Sequence, residues 1–343
     1  MVKCFSAFLN GHGGPENLIY KENSLKAPNN KEVLVKIEYS GINFADIMSR
    51  QGLYTTRLKP PYVLGMEVSG VVEDIGENAS PSLIGKTVIG LCKSGGYSTY
   101  VNINEDQLFL IDQKYSDIAA AIPVNYLTAY FMIVHQANVK NGEWILIHGI
   151  GGGVGIAAMQ IAKFLGAKII GTASSGKFDE IRKFGNIELI DYRKNNFKDQ
   201  VLEITDGRGA DVILDPLGGK QLNESYSCLS EFGRLGTYGF SSAALSNKKN
   251  LFKIIPQYLA MPKFSPLELM RKNKTVYGFH LGLIKYRKDL VKAYSSEILS
   301  MLDNKIINPK IDKIFPLSKA SDAHIYIAKR KNIGKILLSP NES

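Results

Sequence analysis

Five glycines at positions 149, 151, 152, 153 and 155 constrain this chain more than any other feature. They stand inside the stretch EWILIHGIGGGVGIAAMQIAKFLGAK, residues 143–168. Residues 144–147 are apolar with two β-branched members, which suits a buried strand. Beyond the glycines, Ile156, Ala157, Met159, Gln160, Ile161, Ala162 and Leu165 have helix-forming composition, and Gly166 is a natural C-cap. A second apolar strand follows over 169–172. Strand, glycine turn, helix and strand in that order predict a βαβ unit of the dinucleotide-binding kind.

The chemistry explains the glycines. A pyrophosphate must approach the backbone closely, and a Cβ blocks that approach. The helix start then offers free N–H groups and a partial positive charge to the anion. The G-x-G-x-x-G pattern is not met in register, because Ile150 stands where its first glycine would fall. The glycines fit a G-x-x-G-x-x-G spacing at Gly149, Gly152 and Gly155, with Gly153 and Val154 between the last two.

The alternation continues downstream. A helix over 177–184, a strand over 188–190 and a helix over 197–204 lead to a strand over 210–214. That strand runs into Asp215-Pro216-Leu217-Gly218-Gly219. A helix over 221–229, a strand over 233–239, a long insertion and a strand over 275–281 complete the pattern. The reading is α/β, with about six parallel strands in a doubly wound sheet. Residues 1–120 read instead as mostly strand, at 33–39, 68–75, 87–91 and 97–103, with one helix near 44–51. The tail adds helices over 288–302 and 318–329 and a strand over 334–338. The expected organisation is a β-rich domain over 1–123, an inserted parallel-sheet domain over 124–283, and completion of the first domain by 284–343.

Composition narrows the function classes. The net charge of +10 comes from 42 basic and 32 acidic residues. The basic residues are mostly dispersed and no nucleic-acid-binding motif accompanies them, so nucleic acid is not expected as a partner. Cys4, Cys92 and Cys228 are far apart and form no C-x-x-C pair, which argues against a disulfide framework or a zinc knuckle and for a reducing setting. Residues 4–9 are too short for a secretory core. The longest apolar run, 118–134, contains Pro123, Asn125 and Thr128 and reads as buried protein. A cytoplasmic location is the expectation.

At this point the residues carry a resemblance. Gly41-Ile42-Asn43-Phe44-Ala45-Asp46, Arg50-Gln51-Gly52-Leu53-Tyr54, Gly65-Met66-Glu67-Val68-Ser69-Gly70 and the glycine stretch occur in that order. Nearly the whole chain resembles the quinone oxidoreductase branch of the medium-chain dehydrogenase/reductase superfamily. Within it, Val124-Asn125-Tyr126-Leu127-Thr128-Ala129-Tyr130, the Asp215–Gly219 run, Val276-Tyr277-Gly278-Phe279-His280-Leu281-Gly282 and the tail from Asn332 to Leu338 are similar to the vesicle amine transport protein homologues. The resemblance implies a GroES-like catalytic domain, a Rossmann domain that binds NADPH, and a homodimer. Zinc-dependent members of the superfamily carry a Cys near position 43 and Gly-His-Glu where this chain has Gly65-Met66-Glu67. With Asn43 and Met66 at those places, and no cluster of nitrogen, sulfur or carboxylate ligands elsewhere in the sequence, no metal is expected.

For the cofactor, an NAD site places an acid at the end of the second strand, about 20 residues past the glycines. That position holds Ser174, followed by Ser175 and Lys177, after Thr172. Hydroxyls and a cation suit an extra phosphate, so NADPH is expected. The resemblance adds Tyr192 beside the adenosine phosphate, and Thr128, Phe279, Leu281 and Asn332 flanking the nicotinamide. Gly239 and Phe240, at the end of the strand over 233–239, complete the cofactor set. Hydride transfer to a quinone or enone needs a donor for the developing oxyanion. Asn43, through its amide, and Tyr54, through its phenol, are the candidates. Segment 241–275 holds seven basic residues and one acid among many apolar ones. It reads as a cap over the substrate or a dimer contact, or else as an amphipathic contact with a membrane surface.

Overall fold

The computed structural model describes residues 1–54, 58–194, 196–244 and 250–341, leaving aside the side chains of Leu251 and Lys253. Up to residue 124 the strands are β1 (Val2–Leu9), β2 (Leu18–Leu25), β3 (Glu32–Ile42), β4 (Tyr62–Val63), β5 (Glu67–Ile75), β6 (Thr87–Leu91), β7 (Tyr100–Asn104) and β8 (Leu108–Leu110). Next come β9 (Trp144–His148), β10 (Lys168–Ala173), β11 (Glu188–Asp191), β12 (Ala210–Asp215), β13 (Leu229–Thr237) and β14 (Thr275–Gly278). The tail adds β15 (Ile311–Pro316) and β16 (Lys335–Ser339). Two units result: one of Met1–Val124 with the chain from Pro309 onward, the other of Asn125–Leu245 with Asn250–Asn308.

In the first unit a seven-stranded sheet runs β15-β16-β3-β5-β6-β8, with β7 also on β3, beside a three-stranded sheet β2-β1-β4. Val33, Val35 and Ile37 alternate along β3, so one face of the strand points to a core shared with Val68, Val72, Val88, Val101 and Ile103. A second core gathers Leu9, Ile42, Ile47, Leu64, Tyr97, Leu317, Ile336 and Leu338. The tail therefore belongs to this unit through β16, which lies antiparallel to β3 with Leu337 opposite Gly41. The sequence did not announce β1, β2 or β15. Half of β2 is exposed and only Leu18 is buried, and it reads Leu-Ile-Tyr-Lys-Glu-Asn-Ser-Leu, which hides its alternation.

The second unit is a six-stranded parallel sheet in the order β11-β10-β9-β12-β13-β14. Counted within the unit that is 3-2-1-4-5-6, so the order reverses between β9 and β12. Leu146, Ile170, Ile190, Ile213 and Leu235 fill its core with Phe197, Val201, Leu222 and Tyr226 from the flanking helices.

Three expectations change. The segment 284–308 lies in the second unit rather than with the β-rich domain. Its helix Lys288–Asp303 sets the Tyr294 ring 5.0 Å from Tyr130 and 4.9 Å from Phe131, and Tyr130 donates a hydrogen bond to Glu297. The last strand stops at Gly278, because its neighbour β13 ends opposite it at Thr237; Phe279 N–H donates the final bond to Thr237 O, and Leu281–Leu283 forms a 3₁₀ turn. Leu281 is thus off the strand. Finally, β13 starts at Leu229, not 233, with an irregular register opposite β12. In segment 241–275 the described residues include helices Leu251–Leu259 and Pro266–Lys272, while residues 245–249, with Lys248 and Lys249, lie outside the description. Among the described residues no single helix is long and apolar enough to cross a membrane.

Candidate functional site

The glycine turn follows β9. Gly149 adopts φ +64°, which favours glycine, and Gly152 is the N-cap of the helix Gly153–Phe164 with no side chain capping it. A Cβ on Gly155 would fall 2.5 Å from Gly149 O and 2.7 Å from Ile150 Cα. One on Gly153 would fall 2.4 Å from Asn125 Nδ2. Gly155 thus lets the helix lie against the turn, and Gly153 lets it approach Asn125. At Gly152 a Cβ would meet only Gly149 O, at 3.3 Å, and at Gly149 nothing within 4 Å. The chain leaves the space over those two residues open, at a helix N-terminus. That arrangement fits a dinucleotide's pyrophosphate.

The other candidates of the second unit gather at the carboxyl edge of the sheet. Thr172, Ser174, Ser175 and Lys177 end β10 or follow it, Tyr192 follows β11, Gly239 and Phe240 follow β13, and Phe279 and Leu281 follow β14. Val154 sits in the first helical turn after the glycines. Thr128 is buried on the helix Pro123–Tyr130. The Phe279 ring stacks on Phe131, 5.2 Å away. Thr172 departs from its expected role. It is buried, and its hydroxyl faces inward, 3.1 Å from His148 Nδ1 and accepting Gly149 N–H at 3.2 Å.

Sequence reasoning found no acid at the end of β10. The structure supplies one from the next strand. Asp191, 6% exposed, accepts Ser175 N–H at 3.0 Å and Arg193 N–H at 3.0 Å, and pairs with the Arg193 guanidinium at 3.3 Å. The Arg193 bond, with the backbone donors, holds the Asp191 carboxyl well below its ordinary range. No spacing rule along one strand could have shown this neighbour.

The first unit holds Asn43, Tyr54 and Asn332. Asn332 Nδ2 donates to Gly334 O at 2.9 Å. Asn43 caps the helix Phe44–Arg50, and its N–H donates to Asp46 Oδ2 at 2.8 Å. Its amide is engaged from both sides: Nδ2 donates to Glu67 Oε1 at 2.7 Å, and Lys335 Nζ donates to Oδ1 at 2.7 Å. Lys335 also lies 2.5 Å from Glu67 Oε1, and Val124 N–H donates to Glu67 Oε2 at 2.7 Å. Asn43, Glu67 and Lys335 are 7%, 0% and 2% exposed. Gly41 makes room, since a Cβ there would fall 2.5 Å from Glu67 Oε1 and 2.7 Å from Lys335 Cε. Glu67 is thus a buried, fully bonded acid. No local spacing marks Lys335, 292 positions from Asn43, as its partner.

Asp46 is fully buried, which pushes its carboxyl up to about 7 against the pull of Asn43 N–H and Lys335. Burial, and then the Asp46 charge, pushes the Tyr54 phenol up to about 12, so it is a hydrogen-bond donor at neutral pH. Tyr97 Oη lies 3.1 Å from His324 Nε2, and burial holds His324 well below its ordinary value, hence neutral. Among the described residues no three His, Cys, Asp or Glu side chains group as a metal ion requires.

The comparisons agree with this geometry. A model of the alcohol dehydrogenase GroES-like domain matches residues 29–113, and one of the zinc-binding dehydrogenase family matches residues 153–296. The chain belongs to the medium-chain dehydrogenase/reductase superfamily, a family of oxidoreductases. It is 35% identical over 334 residues to the synaptic vesicle membrane protein VAT-1 homolog of Danio rerio, covering 96% of this chain and 69% of the relative. Among solved structures, Escherichia coli quinone oxidoreductase complexed with NADPH matches with a TM-score of 0.86 and 28% identity, over 99% of this chain and 100% of that one. The CurK enoyl reductase matches with a TM-score of 0.84 and 25% identity, over 98% and 99%.

The buried pair sets a stability test. Lys335→Met leaves the Glu67 carboxylate without its cation and is expected to cost about 3–5 kcal/mol, whereas adding Glu67→Gln restores much of the loss. Urea unfolding of the single and double variants checks this; equal loss in both would refute it. Asp46 sets a pH test. Its folded pKa of about 7 exceeds the ordinary 3.8, so the folded state binds the extra proton between those values. The stability it contributes is complete below the lower value and falls as pH rises to the upper one. The stability gained by Asp46→Asn should therefore grow from pH 4 to pH 7 and level off above; a flat difference would refute the assignment.

Proposed function

We propose that this chain is an NADPH-dependent, zinc-independent reductase acting on quinones or other α,β-unsaturated carbonyls. The observation that carries the reading is the open cradle over Gly149 and Gly152 at the start of the helix Gly153–Phe164. The cofactor, when bound, supplies the hydride. The helix N-terminus takes its pyrophosphate. Ser174, Ser175 and Lys177 bind the extra phosphate, with Tyr192 beside it. Asp191 does not oppose this, because its charge is offset by Arg193. Tyr54 donates to the substrate oxygen as negative charge develops there. Asn43 can do so through the amide hydrogen not given to Glu67, in an orientation fixed by Lys335. The likeness to a quinone oxidoreductase complexed with NADPH supports the reading, and that to an enoyl reductase keeps alkenals and enoyl thioesters within the substrate class.

NADPH should bind at least about tenfold tighter than NADH, about 1.4 kcal/mol, and Lys177→Ala should narrow the gap. Asn43→Ala should lower kcat by roughly 10²-fold with little change in NADPH affinity. Titration and steady-state kinetics over a panel of quinones and enals test both. Equal affinity for the two cofactors sinks the preference, and no turnover on any member of the panel sinks the activity. Elemental analysis showing one zinc per chain would remove the zinc-independent part.

A second reading concerns surfaces. Phe252, Tyr258, Leu259 and Met270 are 92%, 67%, 76% and 67% exposed, with Lys263, Arg271, Lys272 and Lys274 in the same segment. Such a segment suits an anionic membrane surface. β14, the outer strand of its sheet, suits pairing in a homodimer. Flotation with anionic against neutral vesicles, and light scattering at micromolar concentration, decide these; binding to neither vesicle and a monomer in solution would remove both.

A further inference from the structure

One buried cluster of the second unit is not used by the reading above. His148, the last residue of β9, is 1% exposed, and its ring packs nearly perpendicular to that of Phe197, centroids 4.7 Å apart. Its Nδ1 lies 3.1 Å from Thr172 Oγ1 on β10, and its Nε2 lies 3.0 Å from Ser225 Oγ on the helix Gly219–Ser227. Ser225 Oγ donates to Asp215 Oδ2 at 2.8 Å, and Asp215 Oδ1 accepts Leu217 N–H at 2.7 Å and Gly218 N–H at 3.0 Å. At the other end Gly149 N–H donates to Thr172 Oγ1. Thr172, Ser225 and Asp215 are 2%, 0% and 0% exposed.

Chemistry orders the protons along this chain. A backbone N–H can only donate, and a carboxylate can only accept. Ser225 has one proton. Gln221 O, at 3.0 Å, competes for it, but the charged acceptor is the stronger. With that proton on Asp215, Ser225 Oγ must accept from His148, so Nε2 carries the hydrogen. The neutral ring then accepts at Nδ1, and Thr172 supplies that proton. The donor order is Gly149 to Thr172 to His148 to Ser225 to Asp215, with Thr172, His148 and Ser225 each donating once and accepting once along it.

We propose that His148 is a positioning residue that locks the glycine turn to the loop 215–219, and so sets both walls of the dinucleotide crevice. The inference rests on the reading that this turn holds a dinucleotide. One end of the chain fixes Gly149, the first glycine of the turn. The other fixes the loop against which the end of the β13 arm packs: a Cβ on Gly218 would fall 2.8 Å from the Phe240 ring, and one on Gly239 would fall 2.7 Å from Pro216 O. Between the two ends lie β9 and β12, where the strand order reverses and ligands bind in such sheets. A doubly protonated ring, or the other tautomer, breaks the donor order at Thr172 or at Ser225. Burial also disfavours the charged ring.

The test joins a spectroscopic readout to binding. In the full chain with ¹⁵N-labelled histidine, His148 should be the neutral Nε2–H tautomer from pH 6 to pH 8, and Thr172→Val should shift its Nδ1 resonance. Thr172→Val, which keeps the shape and removes the hydroxyl, should weaken NADPH binding about tenfold, while Thr172→Ser restores it to within about twofold. Ser225→Ala, at the far end, should also weaken binding. Melting temperatures measured in parallel should not track the loss across these variants. An Nδ1–H or charged His148, or a Thr172→Val chain that binds like the wild type, would overturn the proposal. If the wild type binds no dinucleotide, the functional reading fails and the positioning role with it, while the tautomer still judges the hydrogen-bond chain.

Discussion

Gly155 lies so close to Gly149 and Ile150 that any side chain there would overlap backbone. Much of the second unit depends on that contact. It lets the helix Gly153–Phe164 lie down directly after β9, and buried Ile156, Ala157, Met159, Ile161 and Ala162 then cover the sheet. With the helix so placed, the chain re-enters as β10 beside β9, in the parallel crossover such sheets favour. The same contact aims the uncapped helix N-terminus over the end of β9. Fold and binding cradle therefore share one steric cause, although they use different glycines. Gly153 and Gly155 serve packing, while Gly149 and Gly152 leave space.

The first unit is governed by buried charge. A carboxylate and an ammonium taken out of water are tolerable only when paired and hydrogen-bonded. Glu67 at the start of β5 therefore needs Lys335 at the start of β16, and this need adds polar specificity to the apolar packing that returns the tail. The pair also fixes Asn43: its oxygen must face the ammonium and its nitrogen the carboxylate. A side chain that the sequence marks only as a candidate donor is thereby held in one orientation.

What was legible in the sequence was what local pattern determines. The six parallel strands are marked by apolar runs between helical periods, and the turn by its glycines. Strands with few buried residues, such as β2, carry no such mark. The end of β14 was misplaced because it is set by the length of its partner β13, and the helix Lys288–Asp303 was misassigned because Tyr294 answers to Tyr130 and Phe131, far away in the chain. The site behaved likewise. Asn43, Tyr54 and the residues ending β10 could be named, but not the partners that determine what they can do. Asp191 arrives from a neighbouring strand, Lys335 from the far terminus, and Thr172 proves to face the interior because His148 waits there.

Both units solve one problem in the same way. A polar group near a candidate binding site could take several hydrogen-bonding arrangements, and a buried charge at one end leaves only one. Lys335 and Glu67 do this for the Asn43 amide, and Asp215 does it for the His148 ring. The charge stands one bond from the Asn43 amide and two from the buried His148 ring. Such an arrangement avoids spending a net charge on the ligand while still fixing which atoms donate. For the Asn43 amide this leaves the one orientation that the proposed reduction would use, since an oriented donor can meet a charge that appears only as a reaction proceeds.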